Sequence, residues 1–110
     1  MLKMLESLGL KRLDAKVYVY LVHYGSQKVE DIAEVLEIYK WQLYRSLKNL
    51  KLKGMISVGQ DRPALFSAVS FDKVLDSFII SNREAAQYIE QNKDRILAVW
   101  RFKVAADIDV

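Results

Sequence analysis

Cysteine is absent from the chain, which excludes disulfides and thiolate metal sites. Histidine occurs once, as His23, so no histidine cluster can ligate a metal. His23 reads as a surface or interface residue. No apolar run reaches the roughly 18 residues that a membrane span requires, and the opening MLKMLESLGLK lacks the architecture of a signal peptide. No glycine loop that would cradle a phosphate is present, and no carboxylate pair stands at a recognisable motif spacing. These absences argue against an enzyme and against a cofactor. They leave a soluble cytoplasmic protein as the expectation.

What is present is a concentration of positive charge. The 110 residues carry a net charge of +3. Residues 1–70 hold 11 basic and 7 acidic side chains, and residues 71–110 hold 6 and 7, so the whole excess lies in the first part. Within it, KWQLYRSLKNLKLK at 40–53 has five basic side chains and no acidic one. Leu43, Leu47 and Leu50 fall at i, i+4 and i+7, which predicts a helix with one apolar stripe and cations elsewhere. Such a surface suits a polyanion, and nucleic acid is the commonest.

The four glycines and the one proline punctuate the chain. Gly9 separates a short start from a helix in which Leu13, Val17, Tyr20, Leu21 and Tyr24 recur at helical spacing. Gly25 ends that helix. Val29–Leu36 predicts a second helix, with Ile32, Ala33 and Leu36 on one side and Glu30, Asp31, Glu34 and Glu37 on the other. A tight connection at 37–39 leads to the basic helix, which Gly54 stops. The period then changes: 55–58 and 65–69 predict two short strands around the turn-rich loop 59–63. Two helices joined by a tight turn, followed by a hairpin, describe a winged helix-turn-helix.

After Ser70, a candidate N-cap, helical character resumes. Phe71, Leu75, Phe78, Asn82, Ala85, Ile89, Asn92, Ile96 and Val99 alternate spacings of four and three, a heptad seam over four repeats. One helix of about 30 residues would be about 45 Å long, too long for a 70-residue head to cover. A second copy of the chain is the simplest cover for its stripe, with Asn82 and Asn92 as register-setting seam residues. The alternative is a rotated helix whose seam drifts onto Ile79, Ala86 and Leu97. The segment 101–110 has no clear pattern. The expected fold is mainly α with a small β-hairpin: a winged helix-turn-helix at 1–70 and a long C-terminal dimerisation helix at 71–110.

The order of segments resembles the TrmB-type archaeal regulators, relatives of the MarR and ArsR groups. Leu8-Gly-Leu10 with Asp14-Ala-Lys-Val-Tyr18 is similar to their opening. Asp31-Ile-Ala33 is similar to their second helix. Leu43-Tyr44, Leu47, Leu50 and Lys53-Gly54 resemble their recognition helix, and Arg62-Pro63 with Phe66-Ser-Ala-Val69 their wing. The resemblance covers about residues 8–70 and implies transcription control by a dimer bound to double-stranded DNA, in the nucleoid. Full-length members carry a sugar-binding domain that 110 residues are too few to hold, so sugar sensing is not expected, and no effector is indicated. Three departures stand out. Arg62 is the one wing cation, Glu37 stands where the family usually has glycine, and Tyr39 and Trp41 replace the usual proline and serine.

The candidate DNA-binding residues are Lys40, Trp41, Gln42, Arg45, Ser46, Lys48, Asn49 and Lys53 on the basic helix, with Arg62 on the wing. Arg45 suits guanine, and Gln42 or Asn49 suits adenine. Lys40, Lys48 and Lys53 suit phosphates. Trp41 either meets a sugar or a thymine methyl or covers the gap between the second and third helices. Tyr18, Tyr20, Tyr24 and Tyr44 read as packing residues. Two other readings stay open: an architectural, chromatin-like protein with little sequence preference, and a winged helix used for protein assembly.

Overall fold

The computed structural model describes residues 2–81 and 83–106. Asn82 and residues 107–110 lie outside the described residues, as does the side chain of Ala85. The order is α1 (Leu2–Ser7), α2 (Arg12–Tyr24), α3 (Val29–Leu36), α4 (Lys40–Leu52), β1 (Ile56–Val58), β2 (Phe66–Ala68), α5 (Phe71–Ser81) and α6 (Arg83–Ala106). Helices α2, α3 and α4 with the β1–β2 hairpin form a winged helix-turn-helix. The short start before Gly9 is itself a helix, and its Leu2 and Leu5 are buried in the common core.

Helices α3 and α4 end in the same way. After α4, the Gly54 amide donates to the Lys51 carbonyl at 3.0 Å and the Met55 amide to the Leu50 carbonyl at 2.9 Å. This is a Schellman closure, with Gly54 at φ 72° and the buried pair Leu50 and Met55 beside it. After α3, Glu37 donates to Glu34 at 3.3 Å and Ile38 to Ala33 at 3.1 Å. Here the left-handed residue is Glu37, at φ 55°. That closure makes the tight turn into α4.

The wing is antiparallel, with Ile56 opposite Ala68, Ser57 opposite Ser67 and Val58 opposite Phe66. Gln27, in the connection between α2 and α3, bonds Phe66 in both directions at 3.0 and 2.8 Å and joins the hairpin to the helices. The Tyr18 hydroxyl donates to the Val69 carbonyl at 2.7 Å and fixes the wing's exit to α2.

The C-terminal part differs from the single helix the heptads predict. Ser81 and Asn82 are residue types that favour helix ends over interiors, and the chain forms two helices. Phe71, at the start of α5, stacks on Trp100 of α6 with ring centroids 4.0 Å apart. Asp76 and Lys93 form an ion pair at 3.9 Å. The two helices therefore run antiparallel and pack on each other. A continuous helix from 71 to 106 would be about 54 Å long, whereas the longest dimension of the molecule is 40 Å. A long C-terminal helix is present, as α6, but the seam is largely covered by its own chain. Phe71, Leu75, Phe78, Ile89 and Ile96 are all buried. Asn92 is half-buried and its amide donates to the Tyr88 carbonyl of the same helix at 3.0 Å. Val99 is exposed. The unmet stripe inferred from the sequence is thus corrected: hydrophobic periodicity defines a face but not the helix that fills it.

Candidate nucleic-acid interface

At 100° per residue, the exposed residues of α4 fall in one arc of roughly 140°: Lys40, Trp41, Tyr44, Arg45, Lys48, Lys51 and Leu52. Leu43, Ser46, Leu47 and Leu50 occupy the opposite arc and are buried. Gln42 and Asn49 lie on one border between the two and are half-buried. The exposed arc carries four cations and no carboxylate. Lys53 follows at the helix end, also exposed, and Arg62 is exposed on the wing loop.

Several expected site residues are placed where the sequence suggests. Lys40, Trp41, Arg45, Lys48, Lys53 and Arg62 face outward. Trp41 is 62% exposed and does not seal the gap between α3 and α4. Ser46 is a correction. It is 1% exposed, and its hydroxyl donates to the Asp14 carboxylate at 2.5 Å. On the helical wheel Ser46 stands beside Leu50, so the angle assigns it to the core despite its polarity. The Asn49 amide approaches the other Asp14 oxygen at 3.5 Å. Gln42 accepts the Tyr39 backbone N–H at 3.1 Å through its side-chain oxygen, capping the start of α4. Three candidate base-reading side chains are therefore engaged within the protein.

Asp14 itself is 3% exposed and sits in the first turn of α2, where the helix dipole favours a negative charge. With Ser46 and Asn49 it holds the N-terminus of α2 against the middle of α4. A recess of about 190 Å³ lies between these helices, bordered by Lys11, Trp41 and Arg45. Lys11 thereby joins the basic surface, although it lies 34 residues before Arg45 in the chain. Nothing in the local sequence around Lys11 signals this. Lys51 and Tyr44 also belong to the exposed arc, and Tyr44 and Tyr24 are exposed rather than packed inside.

The acidic α3 is partly neutralised by the basic helix. Glu30 pairs with Lys40 at 3.6 Å across the turn. Its own backbone N–H, and then the Lys40 ammonium, hold the Glu30 carboxyl below the usual carboxylate range. Lys40 is thus shared between the protein and any anionic partner. Among the described residues no group of three or more His, Cys, Asp or Glu could hold a metal ion, and no helix is long and apolar enough to cross a membrane.

The family model described as the sugar-specific transcriptional regulator TrmB matches residues 5–72, from the end of α1 through the wing to the start of α5. The chain belongs to the TrmB family. This is a family of transcription regulators and not of enzymes. Among solved structures, one similar fold is that of TrmBL2, an archaeal chromatin protein whose structure shows a novel mode of DNA binding. It has 23% identity and a TM-score of 0.69, over 100% of this chain and 43% of that one. The chain therefore spans less than half of that relative's length. The ST1889 protein of Sulfolobus tokodaii is similar at 19% identity and a TM-score of 0.60, over 78% of this chain and 86% of that one. A MarR-like transcriptional regulator from Thermotoga maritima is similar at 17% identity and a TM-score of 0.55, over 87% and 80%. These likenesses establish the fold. A comparison with curated protein sequences gives no match.

Proposed function

We propose that this chain is a transcription regulator that binds double-stranded DNA as a homodimer, laying α4 of each protomer in a major groove. The observation that carries the reading is the outward arc of α4: four cations, no acid, backed by Leu43, Leu47 and Leu50 in the core. Lys48, Lys51 and Lys53 suit phosphates, which set position without reading sequence. Arg45 stands at the second turn, where a recognition helix meets base edges, and suits guanine. Arg62 reaches from the wing to the adjoining backbone. Occupancy of the site, blocking or recruiting polymerase, is the mechanism.

Residues 1–70 supply the DNA-binding head and residues 71–110 the dimer contact in this reading. The hairpin of α5 and α6 leaves Ile80, Val99 and Phe102 uncovered, with Phe102 71% exposed. Val99 and Phe102 are one turn apart on α6 and offer a compact apolar contact to a second copy. Paired heads would place two recognition helices on successive turns of the duplex, about 34 Å apart.

A second reading is favoured by one observation. Ser46, Asn49 and the Gln42 side-chain oxygen are engaged internally, which leaves few hydrogen-bonding groups for base edges. A chromatin-like protein with low sequence preference fits that set. Competition against random duplex at fixed salt separates the two readings. A regulator holds a selected site about 10³-fold or more tighter than random DNA; an architectural protein holds both alike. Salt titration tests the shared premise, because affinity should fall steeply, with a log–log slope of about −0.9 per phosphate neutralised. Absence of duplex binding at low salt would contradict both.

A further inference from the structure

We propose that Trp41 and Tyr44 read the C5-methyl groups of pyrimidines in the major groove, so that the protein distinguishes thymine from uracil. This deepens the duplex-binding reading above and rests on it. The internal bonds of α4 define what is left to read bases. Ser46 is buried on Asp14, Asn49 leans on the same carboxylate, and the Gln42 oxygen caps the helix. The base-facing, N-terminal half of α4 then presents Arg45 and aromatic rings. Trp41 and Tyr44 are 62% and 54% exposed and lie three residues apart on the same arc, with Tyr39 at 71% just before the helix.

The flanking charge selects the partner. Lys40, Arg45 and Lys48 share the exposed arc of α4 with these rings, α4 has no acidic residue, and Glu30, the acid beside Tyr44, is paired with Lys40. Lysine is depleted at protein–protein interfaces but is the usual neighbour of phosphate. Within a duplex, the rings cannot stack on paired bases. The apolar feature that the major-groove edge does offer is the C5-methyl of thymine, which 5-methylcytosine also carries. A ring edge against that methyl removes apolar surface from water on both sides.

The test uses a random-sequence duplex pool prepared with thymidine or with deoxyuridine, and binding is read by anisotropy at one low salt concentration. The full chain should favour the thymidine pool by about four-fold per methyl contacted. Replacing cytosine by 5-methylcytosine in the deoxyuridine pool should restore part of the loss. Trp41→Ala with Tyr44→Ala, both at exposed positions, should bind the two pools alike while keeping its salt dependence. Equal affinity of the unaltered chain for both pools would overturn the proposal. So would a preference that persists undiminished in the double variant, since it would then arise from DNA shape, and so would tighter binding to single strands of the same pool. Failure to bind either duplex would remove the duplex reading itself, and the methyl proposal with it.

Discussion

Asp14 and Ser46 are 32 residues apart in the chain, yet the Ser46 hydroxyl donates to the Asp14 carboxylate at 2.5 Å in the interior. This bond, with Asn49 beside it, ties the first turn of α2 to the buried side of α4. Ser46→Ala removes the donor and leaves a buried carboxylate short of a partner. The expected cost is about 2 kcal/mol of unfolding free energy, measured by urea denaturation. Duplex affinity per folded molecule should stay within about two-fold, since Ser46 faces inward and touches no DNA in this account.

Glu37 occupies a left-handed position that Gly54 fills in the equivalent closure of α4. A side chain there costs roughly 1 kcal/mol that glycine does not incur. Glu37→Gly should therefore raise the urea midpoint, with a gain of about 1 kcal/mol. A fall in the midpoint would show that the Glu37 side chain makes a compensating contact.

Tyr18 offers a pH-dependent test. Burial, reinforced by the Asp72 charge, pushes its phenol well above the ordinary tyrosine value of about 10. The folded state therefore holds the proton more tightly than the unfolded state. The sign follows: this stability is fully present below about pH 10 and is lost as pH rises from there toward the folded value. Tyr18→Phe should cost about 1 kcal/mol at neutral pH, by stranding the Val69 carbonyl. It should also flatten the alkaline loss of stability, measured by thermal melts across pH 9–11.

Trp100 joins the hairpin to the head. It stacks on Phe71 and lies 5.9 Å, centroid to centroid, from Tyr18. Trp100→Ala should cost about 3–5 kcal/mol and expose α6 to hydrogen exchange before the core of α2. Unchanged exchange in α6 would mean that the ion pair and aliphatic contacts suffice to hold it.

Much of this architecture was legible in the chain, and the failures have specific causes. Val29–Leu36 and the stop of α4 at Gly54 follow from apolar spacing and a glycine in the left-handed region, both of which are local signals. The hydroxyl of Ser46 suggests an outward position while its angle on the helix points inward, and the partner that satisfies it, Asp14, is distant in sequence. Lys11 reaches the basic surface by the same tertiary contact, which no local pattern encodes. The heptads marked the right apolar face at Phe71, Leu75, Phe78, Ile89 and Ile96. They do not say that the segment forms two helices, α5 and α6, which lets the face close on itself.

The central claim is that the outward arc of α4 carries the attraction to duplex DNA. Arg45→Glu combined with Lys48→Glu tests it most directly, because both side chains are exposed and neither takes part in the Ser46–Asp14 bond. Anisotropy titration at low salt should show affinity falling roughly 100-fold or more, with the melting temperature and circular dichroism unchanged. Undiminished affinity in a folded double variant would contradict the account and place the DNA-binding surface elsewhere.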